Sequence, residues 1–283
     1  MDVRATDITM KSAASAFVER LHMAPDKRLA RFMGELLTDF ADLADRMDMS
    51  RDELQAAIGF LTEVGEACSE RRQEWVLLAD VLGLTSAFER RHARLPEQAT
   101  PNTLAGPFYR PGAPRRADKE SICLDGKGTP LVFTARLRSS DGGPVSAARI
   151  EVWHANGDGV YENQAPDMQP EFNLRGTYTS GPDGTVRIVT VRPSGYRIPD
   201  DGPVGRLLRK LGLPTKRPAH LQFRISASGH RTLITHVFDS SDPAIAADPL
   251  FAVDPALLAD FTASPDGGVA CSFTFILARD GDL

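Results

Sequence analysis

Two tyrosines and two histidines pose the chemical question. The chain has four tyrosines and six histidines in 283 residues, and Tyr161, Tyr196, His220 and His236 all lie in its latter part, near turns. A phenol in water keeps its proton to about pH 10, so a site using two tyrosines as ligands calls for a hard, strongly Lewis-acidic ion such as Fe(III). Taken singly, a tyrosine beside a glycine-rich turn is more often a packing residue, so the case depends on what surrounds the four. The three cysteines, Cys68, Cys123 and Cys271, are far apart and lack the spacing of a zinc or redox site. They read as idle thiols in a reducing compartment. A net charge of −5, with acids and bases interspersed, offers no basic face, which argues against nucleic acid as a partner. No signal-peptide core and no long apolar stretch is found, so a cytoplasmic location is expected and membrane insertion is not.

The elements that must position these residues divide at the prolines. Pro25 stands alone before Pro96, and the remaining prolines crowd into the rest of the chain. The first third can therefore be helical. Residues 28–45 and 52–64 repeat apolar side chains at helical spacing behind the cap-type residues Asp26 and Ser50, and a third run covers 72–88. After Pro96, short alternating runs separated by Asp-Gly turns predict strands over 131–137, 148–154, 184–191, 220–225, 232–238 and 269–277, the pattern of an antiparallel β-sandwich. The expected fold class is α+β, a helical domain over 1–99 followed by a sandwich over 100–283. Residues 200–218, with the basic Arg206, Arg209, Lys210 and Lys216, read as a long excursion between strands, and such excursions often carry function.

Four segments then change the weight of the tyrosines. Thr100-Pro-Asn-Thr-Leu-Ala-Gly-Pro-Phe-Tyr109, Glu151-Val-Trp-His-Ala-Asn-Gly-Asp-Gly-Val-Tyr161, Pro193-Ser-Gly-Tyr196 and Arg217-Pro-Ala-His220 occur in this order. Together they closely resemble the motifs of the intradiol ring-cleavage dioxygenases, the catechol, chlorocatechol and hydroxyquinol 1,2-dioxygenases, over nearly the whole chain. The resemblance implies an Fe(III) enzyme that cleaves a catechol between its two hydroxylated carbons with O2 to give a cis,cis-muconate-type product. It further implies a homodimer joined through the N-terminal helices, with a lipid-binding tunnel at that interface. The stretch Gly195–Gly205 looks closer to the hydroxyquinol and chlorocatechol branch, so a hydroxylated or otherwise substituted catechol is the expected substrate.

The same resemblance carries three iron ligands onto Tyr161, Tyr196 and His220 and departs at the fourth. Where the family has a second histidine, this chain has Gln222, which on a strand points to the same side as His220. His236, on the following strand, occupies a position where the plain catechol enzymes carry glutamine and hydroxyquinol-type relatives can carry histidine. Two arrangements follow. Either Gln222 coordinates through its amide oxygen with His236 behind it, or His236 reaches across and ligates; the first is favoured slightly. Arg217, Tyr196 and His236 are the expected participants in catalysis, with Arg217 beside the substrate ring. Leu104, Pro107, Phe108, Phe251 and Ala252 match pocket-wall positions. His154 reads as a buried neighbour of the first tyrosine motif, and His22, His92 and His230 as surface residues. A non-catalytic descendant that binds an aromatic compound is the rival reading, and the colour of tyrosinate bound to Fe(III) would separate the two.

Overall fold

The computed structural model describes residues 10–69 and 72–282, which fall into two compact units, Met1–Glu66 and Ala67–Leu283. Among the described residues the first unit holds three helices, α1 (Met10–Leu21), α2 (Lys27–Arg46) and α3 (Arg51–Glu66). Both expected caps are present: Asp26 accepts from the Leu29 N–H at 2.9 Å, and Ser50 and Glu53 cap each other's backbone N–H. The buried face of α2 consists of small residues, Ala30, Gly34, Ala41 and Ala44, and Val18 of α1 packs over Gly34.

The expected third helix is two. α4 (Glu74–Val81) and α5 (Leu84–Ala93) are separated at Gly83, whose φ of +71° ends the first helix and is tolerated because glycine has no Cβ. Beyond them lie nine strands: β1 (Pro130–Ser139), β2 (Arg149–Trp153), β3 (Arg175–Thr179), β4 (Thr185–Val191), β5 (His220–Ser226), β6 (Leu233–Asp239), β7 (Leu258–Ala259), β8 (Thr262–Ala263) and β9 (Val269–Leu277), with helix α6 (Pro203–Leu211) between β4 and β5. All six expected strands form, and β3, β7, β8 and α6 were not anticipated.

One sheet runs β4-β1-β9-β8 and the other β3-β2-β5-β6-β7. Both are mixed rather than purely antiparallel, because β9 pairs parallel to β1 and β7 parallel to β6. Alternation places Leu131, Phe133, Ala135 and Leu137 of β1 against Leu221, Phe223 and Ile225 of β5, with Phe223 meeting Phe133 and Phe275 at centroid distances of 5.1 and 4.9 Å. This interior is the stabilising centre of the unit, since each buried phenylalanine is worth about 3–5 kcal/mol against alanine. Period-2 geometry then sends the other residues of β5, His220 and Gln222, to the opposite face, where loops bury them as well.

Candidate metal centre

That outer face carries a row set by strand register. Trp153 of β2 pairs with Gln222 of β5, which pairs with His236 of β6. Two glycine-containing turns bring the tyrosines over the row. Asn156 folds the first by accepting from the Asp158 and Val160 N–H groups at 3.0 and 2.9 Å, and Gln164 holds the Tyr161 N–H at 2.9 Å. The second is closed at its base by backbone bonds, Arg217 N–H to Tyr196 O and Ile198 N–H to Thr215 O, so Tyr196 and Arg217 are neighbours although the α6 excursion lies between them. The turns touch. Gly159, at φ +79°, sits so close that a Cβ there would lie 2.7 Å from the Gly195 carbonyl oxygen, and a Cβ on Gly195 would collide with the Arg217 carbonyl.

The result is a chain of rings. Tyr161 stacks on Phe108 at 4.3 Å and meets Tyr196 edge-on at 5.5 Å; Tyr196 lies 5.6 Å from His220, and His220 lies 4.7 Å from His236. Three buried polar atoms within it have no hydrogen-bond partner: Tyr161 Oη, His220 Nε2 and Gln222 Oε1. Orphaned buried polar atoms are costly, so three together mark a place built for a ligand. Two of them are held in place by their own side chain's other polar atom. His220 donates through Nδ1 to the Pro218 carbonyl at 2.7 Å, which leaves a bare lone pair on Nε2. The Gln222 amide nitrogen is engaged with His236 Nε2 at 2.8 Å and the Ala105 carbonyl at 3.4 Å, which leaves the oxygen free.

Among the described residues no group of three His, Cys, Asp or Glu side chains is placed to hold a metal, so a metal here must draw on phenolate and amide oxygens. Two phenol oxygens, one imidazole nitrogen and one amide oxygen form a hard, mostly oxygen set that fits Fe(III). Burial, then the neighbouring Tyr196, pushes Tyr161 well above its usual value, so its phenol keeps its proton unless a cation displaces it. Burial lowers His220 and His236 well below the usual histidine range, and Arg217 adds to both effects. They are neutral donors.

Arg217 is fully buried. Its Nε and Nη2 reach the two oxygens of Asp248 at 3.1 and 3.4 Å, and its Nη1 donates to Tyr196 Oη at 3.2 Å. Of the expected wall residues, Leu104 and Phe108 lie at the site. Leu104 is buried beside Gly106, whose open face lies over the Gln222 amide nitrogen. Pro107 is exposed. Ala252 is buried and linked through its N–H to Asp248, whereas Phe251 is half exposed and lies over Gly83. His154 is buried, bonded to Thr190 and the Ala155 carbonyl; His22 and His92 are exposed and His230 half-buried. A polar cavity of about 550 Å³ with Lys127, Arg192 and Lys216 on its walls includes none of the four ligand candidates, so the site is defined by its donors rather than by that cleft.

Sequence reading did not single out Asp80, Thr103 or Asp248. Asp80, on α4, is buried with Oδ1 unpartnered, and burial raises its carboxyl against a Thr85 hydrogen bond and the nearby charge of Arg217. Nothing in its helical run distinguishes it except being an acid on an apolar stretch.

Residues 104–279 match the family model of a dioxygenase, and residues 26–100 match that of the catechol dioxygenase N terminus. The chain belongs to the intradiol ring-cleavage dioxygenases and is an oxidoreductase of that class. It is 43% identical to a hydroxyquinol 1,2-dioxygenase of Rhizobium sp. (strain MTP-10005) over 88% of this chain and 84% of that protein. It is 37% identical to a 6-chlorohydroxyquinol 1,2-dioxygenase of Cupriavidus pinatubonensis over 93% and 95%. The solved structure of hydroxyquinol 1,2-dioxygenase from Pseudomonas putida DLL-E4 superposes with a TM-score of 0.91 at 32% identity, covering 96% of this chain and 99% of that one. No helix among the described residues is long and apolar enough to cross a membrane.

Proposed function

We propose that this chain is a ferric dioxygenase that opens a hydroxylated catechol between its two hydroxyl-bearing carbons, adding both atoms of O2 to give a cis,cis-muconate-type dicarboxylate. The observation that carries the reading is the convergence of Tyr161 Oη, His220 Nε2 and Gln222 Oε1, buried and unpartnered, beside Tyr196. Those four residues would hold the iron. Of the two arrangements for the fourth ligand we favour Gln222, because both ring nitrogens of His236 are already engaged, with Thr103 and Gln222.

Bound there, Fe(III) would supply Lewis-acid activation of the substrate's two hydroxyl oxygens toward dioxygen, with no external reductant. The protein's part is positioning and charge. Phe108 stacked on Tyr161 and the locked Nδ1–H of His220 fix two donors before substrate arrives. Arg217, held by Asp248, is a buried cation against which negative charge on the opened ring can be balanced, and its Nη1–H donated to Tyr196 Oη fixes the orientation of that phenol. Leu104, Phe108 and Ala252 serve as apolar wall.

We extend the proposal to a cytoplasmic homodimer joined through the helical region, residues 1–99, with a lipid at that interface and catalysis by residues 100–283. The support is the row of exposed apolar side chains on α2, including Leu29, Phe32 and Leu36. The test is purification followed by iron analysis, a visible spectrum, and oxygen uptake with 1,2,4-trihydroxybenzene and with catechol. One iron per chain, a tyrosinate charge-transfer band and faster uptake with the triol are expected. Colourless, iron-free protein inert to both after iron loading would overturn the reading.

A further inference from the structure

Thr103, on the segment before β1, is buried, and its hydroxyl lies 2.5 Å from His236 Nδ1. Its backbone is pinned by the Thr103 N–H to the Ile234 carbonyl at 2.8 Å. On the other side of the imidazole, Nε2 faces the Gln222 amide nitrogen at 2.8 Å. The polarity of this line is fixed from one end. The Ala105 carbonyl can only accept, so the Gln222 amide atom facing it is nitrogen, and the amide's second N–H then donates to His236 Nε2. His236 Nε2 is therefore bare, its proton is on Nδ1, and Thr103 Oγ1 accepts it.

We infer that Thr103 is a positioning residue that, by accepting the Nδ1–H of His236, stabilises the tautomer whose bare Nε2 holds the Gln222 amide nitrogen, and so supports the orientation that the Ala105 carbonyl selects, with the amide oxygen toward the ligand cluster. An amide can be reversed by a half-turn about its last bond with little change in shape. Packing alone does not choose between oxygen and nitrogen, and only one of them can donate a lone pair to a cation. With a carbonyl at 105, the reversed amide would set an N–H toward the ligand cluster and its oxygen against the Ala105 carbonyl, two acceptors face to face. Carrying the choice through imidazole lets residues from the 100–106 segment set the donor on a strand they do not belong to. The inference rests on the metal-site reading above, but its first consequence can be measured without metal.

The experiment uses the full chain, iron-free, with histidine nitrogen-15 labelling, and the His236 signals identified by their loss in His236→Gln. Wild-type protein is expected to show a protonated Nδ1 and a bare Nε2. Thr103→Val, which keeps the shape and removes the hydroxyl, is expected to shift His236 toward the other tautomer. On loading with ferrous ammonium sulfate in air, it should bind iron about tenfold more weakly by chelator competition, within the range for groups that orient ligands, with a displaced charge-transfer band. Thr103→Ser should restore all three, which a purely structural role for the side chain would not require. A protonated Nε2 in wild-type protein, or a Thr103→Val variant with unchanged tautomer and affinity, would overturn the inference. Wild-type protein that takes up no iron would instead overturn the metal-site reading, while the tautomer still decides the role of Thr103.

Discussion

An amide oxygen donates less strongly than an imidazole nitrogen, so Gln222 as the proposed fourth ligand has a consequence whose direction can be measured. Gln222→His should tighten iron binding and shift the charge-transfer band, whereas His236→Ala should slow turnover and leave most of the iron in place. If His236 were the ligand, His236→Ala would lose the colour and Gln222→Ala would keep it. Histidine titration gives a second test. His154 is held by burial at about pH 4 in the folded protein, well below the ordinary histidine value. Its folded pKa is lowered, so the unfolded chain takes the proton first as pH falls. Stability is then full above about pH 6.5 and declines between there and about pH 4, by on the order of 3 kcal/mol from this residue. His220 and His236 are displaced in the same direction and add to the slope. Urea titrations of iron-free protein at pH 7 and 5 should show the loss, and His154→Gln should flatten it; equal stability at both pH values would contradict neutral burial. The positions of Tyr161, Tyr196, His220 and Gln222 were readable because each sits in a short motif. Asp248 was not, because the pattern of its segment resembles any loop, and Thr103, although inside the Thr100–Tyr109 motif, carries no signal of its own until folding sets its hydroxyl against His236.

At the level of elements, the two tyrosine turns are in backbone contact, so their relative position is set by glycine. Gly159→Ala would cost about 1–2 kcal/mol for the left-handed conformation alone and force the Gly195 carbonyl away. The expected outcome is impaired iron uptake with the sandwich still folded, read by iron stoichiometry beside circular dichroism. Helix α6 depends on a distant partner. Glu74 of α4 accepts the Val204 N–H at 3.1 Å and also pairs with Arg72, which in turn grips Asp201. Glu74→Ala should lower stability by about 1–3 kcal/mol and expose 200–213 to limited proteolysis, and an unchanged cleavage pattern would count against the cap. The strands with clean alternation were legible in the sequence, as were the caps of α2 and α3. The β3 segment, Arg-Gly-Thr-Tyr-Thr, escaped because it is buried on both sides and does not alternate polar with apolar. Helix α6 is shorter than a periodicity argument needs, although Pro203 at its start and Gly212 at its end were signals available to be read.

For the whole molecule, apolar exposure is the quantity to explain. Phe32 on α2 and Phe88 on α5 are 63% and 62% exposed, each among other large apolar side chains on its own unit. Homodimerisation would cover such faces, and sedimentation at micromolar concentration is expected to give twice the chain mass, with Phe32→Glu shifting it toward the monomer. A wild-type monomer at that concentration would remove the proposed assembly. The parallel contact of β1 with β9 bears on how the molecule comes into being at a ribosome. β1 is among the first strands synthesised, yet in its sheet it lies between β4 and β9, and β9 emerges only after β2 to β8 have been made. Until then β1 presents an open, strongly apolar edge. A pairing this far apart along the chain is slow to close, so the nascent protein passes through a long interval in which Leu131, Phe133 and Leu137 lack one of their two neighbouring strands, and in that interval a holding chaperone would matter most.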